Sequence, residues 1–520
     1  MRRKPVMSAW PMVALLAACG PKPHPIPVVE ATISQVQDAI REGRTTCRMV
    51  VQAYLDRIAT YDDSTVNAIT VVNPVALSRA DSIDAVVRAG GELGALFCVP
   101  MLVKDNFDTH DMITSGGSIA LKNSIPPDDA FMVRRIREAG AIIIAKTNMA
   151  EWAFSPRQTV SSSFDTTRNA YDLDRVPAGS SGGTASGVAA SFGLIGLGSD
   201  TGNSIRGPSS HLALVGIRST LGLTSRAGII PLSFDRDVGG PMGRTVEDVA
   251  KVFNVVAGYD PEDPYTVEGR GHKEADYTAF LDTAGLRGAR IGVLRALVDV
   301  PDADTAVVRL FDAAVSDLRR LGAEVVDTFS FDVSKELDRP NMFCSRFRYD
   351  MGQYLATLGP GAPIHDVAEV LETGQYAPYV EGRLRSQARR PLDVPPSEWD
   401  PPCPDYFENE GRQAYLHDLE AAMDSAGVDA LIYPTWLNPP AHIDQAQEEY
   451  KGDNSQLVAP ATGVPAITVP MGFTYGHLPA GLQILARPFA EGLLFKYAYA
   501  YEQGTHRRRP PDGYPELAGL

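Results

Sequence analysis

At 520 residues, 44% hydrophobic and 22% charged, the chain carries enough apolar material for a large core, and past its first twenty residues no apolar run is long enough to cross a bilayer. A formal charge of −16, made more negative still if Arg2, Arg3 and Lys4 leave with a leader, argues against nucleic acid as a partner. The five cysteines lack the spacing of a metal site, so neither a metal nor a cofactor is expected.

Arg2, Arg3 and Lys4 precede an apolar stretch over 9–18, shorter than the roughly 20 residues a spanning helix needs, and residues 1–18 read as a signal peptide. Leu16-Ala17-Ala18-Cys19 resembles the bacterial lipobox, in which the cysteine becomes the lipidated first residue; the alternative is an ordinary secretory signal. Acyl chains on Cys19 would hold the protein at the cell envelope, outside the cytoplasm, as its only membrane attachment. Residues 19–30, rich in proline, then read as a stiff tether. Export permits disulfides among Cys47, Cys98, Cys344 and Cys403, which the sequence does not pair.

Helical periodicity over 48–61 and 304–322 alternates with short apolar runs at 141–145, 290–294, 429–433 and 466–469 that read as buried strands. A further apolar run, 96–103, stops abruptly at Lys104-Asp105-Asn106, as a buried strand with a lysine at its end would. The alternation favours one layered α/β domain over 31–510. A Pro-rich stretch at about 335–410 breaks the rhythm and reads as a loop-rich or helical cap beside the site, where substrate choice would be made.

The most informative segment is 178–208, where two Gly/Ser turns flank a run of small residues. Glycines 179, 182, 183 and 202 let the backbone come close to a ligand and leave amides free to aim at it, and each turn presents a serine, Ser180 and Ser204. The segment 184–198 between them, rich in Ala, Gly and Ser, suits a helix packed closely on a neighbour.

Lys104, Ser180 and Ser204, with Lys146-Thr147-Asn148, Glu151, Arg168-Asn169, Asp200-Thr201-Gly202, Asp237, Gly240-Pro241-Met242 and Gly481-Leu482-Gln483, resemble the amidase signature family of serine amidohydrolases in order and spacing. The resemblance implies a single α/β/α domain around a mixed sheet, a small-molecule amide as substrate and a Lys-Ser-Ser triad. In it Ser204 attacks the amide carbonyl, Ser180 relays the proton and Lys104 is the base. It also implies an oxyanion hole from the amides of Thr201, Gly202, Asn203 and Ser204, supporting roles for Ser181, Asp200 and Arg206, and a cis Gly179-Ser180 peptide. Asn203 replaces the family's usual glycine, Ala170 a common proline, and Arg218-Ser219 a frequent Lys-Pro. Asparagine tolerates left-handed backbone, so the turn at Asn203 can survive.

The chemistry sets its own condition. A lysine is a base only when neutral, and bringing it from about 10.4 to near 7 costs about 4.6 kcal/mol, which burial can supply. Lys104 must then be buried. Read singly, a lysine after an apolar strand is commonly a solvated strand end and a Gly/Ser cluster a flexible turn. His110, His211 and His442 read as surface or core histidines. Two other functions remain in view. Gly179-Ser180-Ser181-Gly182-Gly183 fits G-x-S-x-G with Ser181 as the nucleophile of an α/β-hydrolase esterase, although 169–177 ahead of it reads as loop rather than strand. The other is a binding lipoprotein that kept the fold without catalysis. A role as the amidase component of a tRNA-dependent amidotransferase fits export poorly.

Overall fold

The computed structural model describes residues 23–517; the expected signal peptide and Cys19 lie outside them. Eleven strands form one mixed sheet. In chain order they are β1 (Ile69–Val72), β2 (Pro100–Lys104), β3 (Ile142–Thr147), β4 (Ile195–Asp200), β5 (Val215–Arg218), β6 (Val238–Gly243), β7 (Arg290–Val293), β8 (Glu324–Val326), β9 (Ala430–Pro434), β10 (Ala466–Thr474) and β11 (Leu478–Ala486). Across the sheet they run β1-β3-β2-β4-β6-β5-β10-β11-β9-β7-β8. The pairs β3/β2, β2/β4, β9/β7 and β7/β8 are parallel and the others antiparallel, which gives the α/β layered fold expected from the sequence. Among the described residues no helix is long and apolar enough to cross a membrane.

Local rules account for the long helices. Thr46 caps Cys47–Tyr61 by accepting from the Met49 amide at 3.1 Å, and Val50, Val51, Tyr54 and Ile58 form its buried face. Asp304 caps Thr305–Arg320, whose last turn carries Arg319 and Arg320 and whose buried stripe is Val307, Phe311, Ala314, Val315 and Leu318.

Two boundaries differ from the sequence reading. The run at 96–103 becomes strand only from Pro100, because Leu96–Cys98 form a turn in which Cys98 takes a positive φ of 55° and bonds to Cys47. The segment 184–198 is not one helix. The helix Gly182–Ala189 ends, the chain reverses near Ser191, and β4 follows. Small residues are needed there because this helix lies directly on the sheet: a Cβ on Gly196 would stand 2.4 Å from Thr184 Cγ2, and one on Gly183 2.3 Å from the Asn148 carbonyl oxygen.

Residues 23–30, expected within a tether, lie against the domain. Val28 is fully buried, its carbonyl accepts from the Tyr54 hydroxyl at 3.2 Å, and Glu30 pairs with Arg508 at 2.7 Å. The stretch expected as a cap is mainly helical, including Phe347–Thr357, Val367–Thr373 and Glu381–Gln387. Its Phe347, Met351, Val370 and Leu384 share one apolar cluster with Met149, Trp152, Phe154 and Ile230 of the body, and a Cys344–Cys403 disulfide closes it.

Each disulfide spans more than fifty residues, 51 for Cys47–Cys98 and 59 for Cys344–Cys403, so each removes considerable freedom from the unfolded chain. Replacing Cys47 and Cys98 together by serine is expected to lower the free energy of unfolding by about 2–4 kcal/mol. Denaturant melts would register this as a lower midpoint, and an unchanged midpoint would count against the pairing.

Candidate active site

Lys104 is the last residue of β2 and Asp200 the last of β4, neighbouring parallel strands whose register sets Val103 beside Leu197. In open α/β sheets, ligand sites collect beyond the carboxyl ends of such strands. The Lys104 side chain is fully buried. Its Nζ lies 2.7 Å from Ser180 Oγ, 2.9 Å from Ser199 Oγ and 3.3 Å from the Ser199 carbonyl oxygen. No carboxylate lies within ion-pair distance of it among the described residues. Burial brings its pKa down to about 7, against the opposing pull of Asp200 and Asp237.

Lys146 makes an instructive contrast. It is equally buried, but its ammonium donates to the Phe107 carbonyl at 2.8 Å, to Thr114 Oγ1 at 2.8 Å and to the Ile113 carbonyl at 3.2 Å, with Asp105 at 3.8 Å. Its protons are committed to these partners, and the group ties the loop after β2 to β3.

Ser180 follows a cis Gly179–Ser180 peptide at the start of the Gly182–Ala189 helix. Glycine is required at 179, where a Cβ would stand 2.4 Å from the Gln158 carbonyl oxygen and 2.5 Å from that of Ser155. Ser181 Oγ donates at 3.2 Å to the Ser199 carbonyl at the end of β4, while Ser180 Oγ accepts from Lys104 Nζ on β2. The segment ahead of Ser181 is turn and bend, without the strand a nucleophile elbow needs.

Asp200 organises the second turn. Its carboxylate accepts from the Ile205 amide at 3.1 Å, from Arg206 Nε and Nη2 at 3.1 Å each and from Arg218 Nη1 at 3.0 Å; Arg218 also reaches the Asp200 carbonyl at 2.6 Å. Burial alone would raise this carboxyl, but the two guanidinium groups outweigh it and take the pKa down to about 2. Arg206 further binds the Gly202 carbonyl at 2.7 Å and Gln483 Oε1 at 3.0 Å. Asn203 Nδ2 donates to the Pro156 carbonyl at 3.2 Å, and Thr201 Oγ1 donates to Asp237. Held in this way, the amides of Thr201, Gly202, Asn203 and Ser204 find no acceptor among the described residues. Four unspent donors in one turn suit an anion.

The structure therefore joins Lys104, Ser180, Ser181 and the end of β4, with Ser204 four residues beyond Asp200 on the same turn. Ser204 is almost wholly buried, and its hydroxyl makes no hydrogen bond among the described residues. His110 pairs with Asp129 and His442 with Glu449, both partly exposed, while His211 is buried 4.5 Å from the Trp436 ring.

Three contributors escaped the sequence reading. Ser199 places a second hydroxyl on the amine, and Asn106 Nδ2 donates to that hydroxyl at 3.0 Å. Arg218, visible in the sequence only as a departure from the family pattern, is a second cation on Asp200. Strand periodicity across 195–200 would have put Ser199 on the face of Leu197, but which strand lies alongside is not written locally.

A protein-family model described as Amidase matches residues 49–495. The chain belongs to the amidase signature family. Curated relatives include a glutamyl-tRNA(Gln) amidotransferase subunit from Synechococcus sp. (strain JA-3-3Ab), 33% identical over 488 residues that cover 90% of this chain and 91% of that one. Among solved structures, the native peptide amidase of Stenotrophomonas maltophilia superposes with a TM-score of 0.82 at 33% identity, covering 93% of this chain and 99% of the other. The glutamyl-tRNA(Gln) amidotransferase subunit from Thermotoga maritima superposes at 0.72 with 26% identity, covering 94% and 99%. This amidase is thus an enzyme of amide chemistry built on the mixed α/β fold of those structures.

Converting Asp200 to asparagine keeps the shape but leaves Arg206 and Arg218 buried without a counter-charge. A loss of about 3–5 kcal/mol in folding stability is expected. Chemical unfolding would detect it, and an unchanged midpoint would show that the cluster carries little of the turn.

Proposed function

We propose that this amidase hydrolyses carboxylic or peptide amides through an acyl-enzyme on Ser204, with Ser180 as proton relay and Lys104 as base. The observation that carries this reading is the fully buried Lys104 amine, 2.7 Å from Ser180 Oγ and brought down to about 7. A neutral amine there takes the Ser180 proton while Ser180 takes that of Ser204, freeing the Ser204 oxygen to attack. The idle Ser204 hydroxyl is consistent with a contact that tightens when substrate arrives. Negative charge on the carbonyl oxygen then meets the unspent amides of 201–204, each such donor being worth about 2.7–4 kcal/mol. The proton held by Lys104 returns through Ser180 to the leaving nitrogen, and water repeats the sequence on the ester. Thr201, Gly202, Asn203 and Ser204 thus form the oxyanion hole, while Asp200 and Arg206 hold its turn and Ser181 supports the end of β4.

The chain is further proposed to work outside the cytoplasm, lipid-anchored through Cys19, as a hydrolase that needs no tRNA-bound partner. Two disulfides favour an oxidising compartment. The peptide amidase superposes with a TM-score of 0.82 against 0.72 for the Thermotoga maritima amidotransferase subunit, which supports a small amide as substrate.

Lys104→Met is expected to cost about 10²–10⁴ in kcat/KM on a responsive amide, Ser204→Ala at least as much, and Ser181→Ala far less. The reverse ranking would transfer the nucleophile to Ser181, and a purified protein inert to a broad amide panel would favour the binding lipoprotein. Because the base works unprotonated, kcat/KM should rise with pH through a midpoint near 7. A flat profile across that range would remove Lys104 from the role. For the anchor, labelling cells with a clickable fatty acid should mark the wild type and leave Cys19→Ala unmarked; equal labelling would refute lipidation there.

A further inference from the structure

At the seam between body and cap lies a cavity of about 380 Å³ that the chemistry above does not use. Asp108 from the loop after β2, Gly228 and Phe234 from the loop 226–234, and Tyr349, Asp350 and Tyr354 from the cap helix Phe347–Thr357 line it. Its size falls within the usual range for small-ligand sites.

Asp108 is the unusual member. It is only 5% exposed, and its Oδ1 accepts from the Tyr354 hydroxyl at 2.7 Å. Its Oδ2 accepts no hydrogen bond among the described residues, and no lysine or arginine lies within ion-pair distance of either oxygen. Burial pushes the carboxyl up to about 7, against the Tyr354 bond and the more distant Lys146. The two arginines in the wall are committed elsewhere. Arg226 binds Asp263, through Nε at 2.8 Å, and the Phe234 carbonyl. Arg346 binds Asp350 at 2.9 Å and Asp405 at 2.6 Å. At the mouth, exposed Asp128 and Glu262 add negative charge.

A buried carboxyl with one vacant oxygen, beside a cavity lined by aromatic residues, either keeps its proton or takes a cation when it ionises. We propose that this cavity binds a small organic ammonium ion, with Asp108 as counter-ion and the rings of Tyr349 and Tyr354 around its apolar part, the Phe234 ring being already covered by Arg226 at 3.8 Å. Its walls come from both body and cap, so an occupant fastens the cap in place. A second, water-sized cavity shares Arg226, Ile229, Pro231 and Phe234 with the first and abuts Ser199, Thr201 and Asp237. The ammonium group thus comes either from the far end of an amide substrate or from a separate amine.

Titration calorimetry on the whole protein at mildly alkaline pH tests this with benzylamine as the cation and benzyl alcohol as its neutral counterpart. Benzylamine should bind the wild type, with the alcohol at least about tenfold weaker. Asp108→Asn, which preserves the Tyr354 hydrogen bond, should weaken benzylamine by a similar factor. Gln353→Trp, on the exposed side of the cap helix, should block the cavity without touching Asp108; circular dichroism confirms that both variants fold. Competitive inhibition of neutral-amide turnover by benzylamine would assign the cation to the substrate, and binding without a change in KM would assign it to a separate amine. Failure of benzylamine to bind the folded wild type, or equal affinity for wild type and Asp108→Asn, overturns the proposal.

Discussion

Taking one lysine amine wholly out of water, without a carboxylate beside it, is the constraint on which this structure turns. At about 1.4 kcal/mol for each tenfold change, holding Lys104 near 7 consumes an amount comparable with the net stability of an ordinary domain. That expense is tolerable only in a large core, which eleven strands and their covering helices supply. The surroundings also have to keep the amine from recharging. Asp200 is near enough to favour the charged form, yet its carboxylate is engaged by Arg206 and Arg218, and burial outweighs its pull on the amine. Replacing the family's frequent lysine by Arg218 supplies a planar group that binds both the carboxylate and the carbonyl of Asp200.

The same residues connect electrostatics to shape. With Asp200 fixed by two guanidinium groups, the turn from Thr201 to Ser204 has no need to spend its own amides on internal bonds, and they stay without an acceptor among the described residues. Ser199 and Asn106 brace the amine from the opposite side. Glu151 Oε2 accepts from the Ala377 amide at 2.8 Å and so ties this core to the cap. Phe347 of the cap packs against Trp152 and Phe154 of the body within one shared apolar cluster, so cap and body are stabilised together, with the Cys344–Cys403 disulfide closing the cap on itself.

Much of this was legible in the chain. The apolar run ending at Lys104, the two Gly/Ser turns and the helical periodicity at 48–61 and 304–322 are local patterns, and local patterns follow from dihedral freedom and periodicity. Small residues that serve two purposes hide their structure from the sequence. Across 184–198 a helix and a strand use glycine and alanine for the same reason, close mutual approach, so composition could not separate them. Prolines likewise suggest a free tether at 23–30, but Val28 and Glu30 find partners far away along the chain.

By itself, then, the sequence determined which residues are fit for the chemistry: a lysine at a strand end and serines on glycine turns. Tertiary structure alone decided that β4 lies beside β2, which brings Ser199 to the amine, that Arg218 and Arg206 share one carboxylate, that Cys47 meets Cys98 and Cys344 meets Cys403, and that Asp108 faces a cavity under the cap. The reason is physical. Conformational preference acts over a few residues, whereas desolvation and pairing depend on whatever the completed sheet brings within a few ångströms, from any distance along the chain.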